Sequence, residues 1–124
     1  MRCLLGCLMF GMVAAPSALA DITVFTCRFP GLRGTGAIFV TIYDDGSPAR
    51  VGVEVGVGSK AQTYFDASTG ATVVVEFNGV GVPDTLTTIN QGGKSVHSRH
   101  LLSVPKGWFL PSQYVGQCDR RTIR

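Results

Sequence analysis

An all-β fold is what this chain predicts: a small antiparallel up-and-down β-barrel, or a sandwich, of about eight short strands. Three observations predict it. Beyond residue 20 the apolar residues alternate with period two in one segment after another, and no amphipathic helical period occurs. Turn dipeptides such as Asp45-Gly46 and Asn78-Gly79 separate these segments. Cys27 and Cys118 stand near the two ends of the stretch. In a closed meander the first and last strands are neighbours, so a disulfide between these two favours a barrel over an open sheet. Closure also removes the unpaired edges that Val-rich strands would expose.

Each element follows in order. Ile22 to Phe29 sets Thr23, Phe25, Cys27 and Phe29 against Ile22, Val24, Thr26 and Arg28, which places the disulfide in the core. Pro30 to Gly36 is a Gly-rich loop, and Ala37 to Tyr43 is a β-branched, aromatic second strand. Asp44 to Pro48 is a turn, where the adjacent Asp44 and Asp45 serve turn geometry. Glycoside hydrolysis would need two carboxyls facing each other across a cleft. Val51 to Gly58 alternates most cleanly, with Val51, Val53, Val55 and Val57 on one face and Gly52, Glu54, Gly56 and Gly58 on the other. It predicts a strand whose glycine face permits bending at a barrel corner, or offers a flat strip that a ligand can approach. Lys60 to Asp66, Thr72 to Phe77, Thr85 to Asn90 and Ser95 to Leu102 complete the middle of the chain, with turns at Ser68-Thr69-Gly70 and Gln91 to Lys94. Pro105 to Pro111 holds Trp108, Phe109 and Leu110 and is expected to be an apolar loop plugging an open end. Ser112 to Cys118 is the last strand.

The first twenty residues read as a cleavable signal peptide: Arg2, an apolar run from Leu4 to Ala15, then Ala18-Leu19-Ala20 as an A-x-A site before Asp21. Leu4-Leu5-Gly6-Cys7 resembles a lipobox, but no apolar region fits ahead of Cys7. The run is also shorter than the roughly 20 residues that span a bilayer, so no transmembrane segment is expected. Cleavage at Ala20–Asp21 would remove Cys3 and Cys7 and leave one domain, 21–124, whose only thiols are Cys27 and Cys118. All 3 methionines lie in the leader, which suits an oxidising, periplasmic or extracellular compartment.

Formal charge is +3, falling to +2 without Arg2. That is no nucleic-acid signal. The basic cluster Arg120, Arg121 and Arg124 reads as a solvated tail, or as an attraction to anionic envelope polymer or lipid headgroups.

Val96-His97-Ser98-Arg99-His100 is the one constellation that invites chemistry, and it contains both histidines. On a strand, positions three apart point to opposite faces, so His97 and His100 do not share a metal, and no metal or cofactor is expected. Ser98 and His100 do share a face, which permits a Ser-His hydrolase reading, but no Gly-x-Ser-x-Gly elbow accompanies them. An orienting carboxylate would have to come from Asp66, Glu76 or Asp84. His97 and Arg99 share the other face with Ser95. That face is either a polar, solvent-facing strand surface or a recognition face for a carboxylate, phosphate or acidic sugar, with pH dependence from the imidazole. Tyr64, Trp108 and Tyr114 are the remaining candidate contact residues.

The plan resembles small periplasmic β proteins of Gram-negative, especially alphaproteobacterial, type. The resemblance lies in the leader, in Phe25-Thr26-Cys27 on the first strand, and in Tyr114-Val115-Gly116-Gln117-Cys118 near the end. It is also similar in plan to the periplasmic inhibitors of c-type lysozyme. The Ser-Gly-x-x-Tyr segment of those inhibitors has no counterpart, since Ser68-Thr69-Gly70 and Gly58-Ser59-Lys60 break its order, so no inhibitory residue is carried over. The resulting expectation is a monomeric, exported, non-catalytic binding module for an envelope or host component. The alternatives are an inhibitor of a lysozyme-like hydrolase and a small hydrolase using Ser98 and His100. A small-molecule carrier ranks last, because so small a barrel is expected to be filled by its own side chains.

Overall fold

Among the described residues, eight antiparallel strands close into a barrel in simple sequence order, so the sandwich alternative is set aside. A computed structural model describes residues 19–34, 36–103 and 108–124, and for 101–103 and 108–111 it describes the backbone alone. The strands are β1 (Ile22–Arg28), β2 (Ile38–Tyr43), β3 (Ala49–Gly52), β4 (Ser59–Asp66), β5 (Ala71–Phe77), β6 (Pro83–Ile89), β7 (Lys94–Ser103) and β8 (Trp108–Ile123). No helix among the described residues is long and apolar enough to cross a membrane. The leader up to residue 18 lies outside the described residues.

β8 meets β1 along the whole length of β1, from Ile22 opposite Ile123 to Arg28 opposite Gln117. Cys27 and Cys118 stand directly opposite each other in this seam and are disulfide-bonded, both buried, as expected. Inward-facing Phe25, Phe29, Ile38, Val40, Val51, Val74 and Ile89 pack around them. Gly116 on β8 leaves the space that the Phe29 ring occupies; a Cβ there would collide with Phe29 and with the Arg28 carbonyl. A tight turn follows, with the Leu32 amide donating to the Phe29 carbonyl at 2.9 Å, and Leu32 is buried. Phe29 and Leu32 thus supply apolar filling at the end of the barrel where the β1–β2 connection lies. The side chains of the Pro105–Pro111 segment, Trp108 included, lie outside the described residues.

Three expectations are corrected. The strand predicted over Val51 to Gly58 ends at Gly52. Beyond it Val53, Val55 and Val57 are exposed, and the chain turns, with Gly58 at φ +115°. A Cβ at Gly58 would strike the Val51 carbonyl, so the glycines mark a tight reversal rather than one face of a strand. This loop lies against the outside of β1 and β2: the Gly56 amide donates to Thr41 Oγ1 at 3.1 Å, and Val24 and Thr41 on the outward faces become buried. The second correction is at Trp108 to Pro111, expected as a loop, which is the start of β8. Pairing with β7 accounts for this, since Ser103 lies opposite Trp108 and His100 opposite Pro111. The third is the basic tail. Arg120 and Arg121 are exposed but belong to β8, paired with Phe25 and Val24 of β1, so they are not a tail.

Candidate functional site

The ladder registers assemble one inward row across six strands: Ala49, Ala61, Glu76, Thr85, Arg99 and Ser112. The adjacent row holds Thr63, Val74, Thr87, His97 and Tyr114. Neighbouring positions in such a row are about 5 Å apart, so Thr85 separates Glu76 from Arg99. A cavity of about 260 Å³ opens here, lined on its polar side by Glu76, Asp84, Thr85, His97 and Arg99 and on its apolar side by Leu32, Ile38, Val51 and Val53.

Asp84 reaches this cavity because of a bulge. Glu76 pairs with Thr85 and Phe77 with Pro83, so Asp84 has no partner across the ladder. An extra residue of this kind bends the strand and re-aims its side chain. Without the bulge, Asp84 would alternate to the outside.

The electrostatics follow from this enclosure. Burial raises the Glu76 pKa from its ordinary 4.5 to about 7; Arg99 opposes the shift and Asp84 adds to it. Burial also lowers the His97 pKa, and the Arg99 charge lowers it further. His97 Nδ1 is hydrogen-bonded to Thr87 Oγ1 at 2.8 Å, and its ring lies against Phe29 with centroids 5.2 Å apart. These contacts hold the imidazole in place and leave Nε2 as the atom available to a ligand. Neither the Glu76 carboxylate nor the Arg99 guanidinium forms an ion pair or a side-chain hydrogen bond among the described residues.

Of the residues singled out in the sequence, the fold brings His97, Arg99 and Tyr114 together inside this end of the barrel. The solvent-facing alternative for the His97–Arg99 face is overturned, because Ser95 and His97 are 2% and 4% exposed. Tyr114 stands opposite His97, its ring over Gly31. Tyr64 is elsewhere: it faces outward on β4, more than half exposed, and donates to Gln62 Oε1 at 2.8 Å. Trp108 is placed only as the first residue of β8. Ser98 and His100 line a separate pocket of about 330 Å³ with Ser112 and Gln113. There Ser98 Oγ accepts a hydrogen bond from Gln113 Nε2 at 3.3 Å. Of the carboxylates considered for that pair, Glu76 and Asp84 line the cavity. Asp66 is the exposed last residue of β4, with Ser68 and Thr69 donating to it and holding its pKa low.

Sequence reasoning missed Glu76, Asp84 and Thr85 as parts of one site. The legible signal was a lone Glu inside the Val-rich run of β5; the bulge that turns Asp84 inward left no comparable mark. No family model, curated protein or solved structure matches this chain. Among the described residues, no group of three or more His, Cys, Asp or Glu side chains is placed to hold a metal ion.

Proposed function

We propose that this protein is an exported, non-catalytic binding module for an envelope or host component, and that the barrel mouth around Arg99 is its recognition site. The observation that carries this reading is the pairing state of the mouth. A half-buried guanidinium and a half-buried carboxylate face a cavity without partners of their own. Such groups are costly to enclose unless something completes them, and an incoming ligand is what would do so. A disulfide-closed scaffold also suits a protein whose site must keep its geometry outside the cell. The leader ending at Ala20 supports export.

The test is a binding screen by amide chemical-shift mapping, with c-type lysozymes and peptidoglycan fragments as probes. The expected result is saturable shifts centred on Glu76, Thr85, His97 and Arg99, lost in Arg99→Gln. Shifts confined to the outer surface, or unaltered in that variant, would remove the mouth from consideration. The hydrolase alternative predicts esterase activity that disappears in Ser98→Ala.

A further inference from the structure

The polar wall of the mouth has two electrically opposite poles. Glu76 and the bulge residue Asp84 form an acidic pole on β5 and β6, and Arg99 forms a basic pole on β7. Thr85 lies between them in the row, so the poles sit about 10 Å apart at their Cβ atoms and do not neutralise each other by contact. The facing wall is aliphatic, with Leu32, Ile38, Val51 and Val53. At about 260 Å³ the cavity is several times the ~30 Å³ share of one water in the liquid. That is room for a small organic molecule, free or as the end group of a larger one.

Resting on the binding reading above, we infer that this mouth is a receptor for a small zwitterion, an α-amino acid with an aliphatic side chain. Its carboxylate lies on Arg99, its ammonium between Glu76 and Asp84, and its side chain against Leu32, Ile38 and Val51. Guanidinium matches carboxylate through paired N–H donors, and an ammonium has three N–H donors for the two acidic groups and the Thr85 hydroxyl. A lone anion would meet Arg99 but leave both acids unsatisfied. A lone cation would meet the acids but leave Arg99 bare. The titratable and charged groups facing the mouth are Glu76 of β5, Asp84 of β6, and His97 and Arg99 of β7. An ammonium favours ionised Glu76 and neutral His97, so affinity rises from pH 6 to pH 8.

Protein produced from the full chain, with its disulfide formed, is titrated with L-leucine and with its two halves, 4-methylpentanoate and 3-methylbutylammonium. Amide shifts at Glu76, Thr85 and Arg99 are the readout. L-leucine is expected to saturate these shifts, with each half-probe at least about fivefold weaker. Arg99→Gln and Asp84→Asn are each expected to weaken L-leucine by about tenfold or more, and Tyr64→Phe to leave it unchanged. A half-probe binding within fivefold of L-leucine overturns the inference and makes the mouth a simple ion site. No mouth shift with any of the three also overturns it. Neither result touches the binding reading, which stands or falls on the lysozyme and peptidoglycan probes. Should Arg99→Gln fail to fold, Asp84→Asn at the bulge decides alone.

Discussion

The β1–β8 seam and the β3–β6 mouth are built from the same kind of strand and end as opposites. At the seam, pairing is unbroken from Ile22 to Arg28 and a disulfide crosses it one pair from its end. Around the mouth, β3 pairs with β4 at only Ala49, Arg50 and Val51 before the chain turns away at Gly52, and β6 carries a bulge. Regular pairing leaves a barrel this small filled with apolar side chains. Here regular register already turns Glu76, His97 and Arg99 inward, and the bulge on β6 adds Asp84 to them. The difference shows that the covalent closure and the polar cavity are complementary: one side holds the cylinder shut while the other departs from ideal pairing.

The largest expected effect breaks the seam. Replacing Cys27 and Cys118 together by Ser opens a loop of about 90 residues and should lower stability by about 4–5 kcal/mol, measured by urea unfolding. Reduction of the wild type should give a comparable loss. Next comes the corner beside the mouth. Gly58→Ala places a Cβ against the Val51 carbonyl at a positive φ, and should cost about 1–3 kcal/mol in the same measurement. It should also alter the amide shifts of Gly52 and Val53, which line the cavity.

Glu76→Gln sharpens the comparison through pH. The folded-state pKa of Glu76 is raised to about 7, so the folded protein holds a proton that the unfolded chain releases near its ordinary pKa. Stability from this group is therefore present below about pH 4.5 and is lost as pH rises to about 7. Glu76→Gln should remove that decline. At pH 8 it should exceed the wild type by about 1–2 kcal/mol, once screening through the open mouth is allowed for. Melting temperatures across pH 4–8 would show it; parallel profiles would place Glu76 in water. The smallest effect belongs to the outside of the seam. Arg28 and Asp119 form an exposed ion pair at 3.4 Å, and Arg28→Ala should change stability by less than about 1 kcal/mol, an effect that salt abolishes.

Much of the strand plan was legible because turn chemistry is local. Asp45-Gly46 reverses the chain between β2 and β3, and Asn78-Gly79 does so between β5 and β6. The disulfide was legible because a meander that closes on itself brings its ends together. The valine-glycine run misled for a physical reason: period two is shared by a strand and by a loop that merely repeats Gly. Only the approach of Gly58 to the Val51 backbone tells the two apart. The last strand was drawn too short because its polar end, Asp119 to Thr122, carries no apolar signal and is held by pairing with β1. Of the site, His97 and Arg99 were visible as residues sharing a face, while their acidic partners were not.

By itself, the sequence determined that the chain is all-β, where most turns fall, and which two cysteines meet, since these follow from side-chain alternation, turn residues and the arithmetic of two thiols. Tertiary structure alone decided that the His97–Arg99 face looks inward. Alternation points the wrong way along β5, where Ala71, Val73, Val75 and Phe77 form the outward face and Thr72, Val74 and Glu76 the inward one, and both faces of β6 and β7 mix apolar and polar groups, so alternation does not assign the inside. Barrel closure assigns it, by setting each strand's register against two neighbours. The bulge at Asp84 is likewise a consequence of that register, and with it the charge pattern of the mouth.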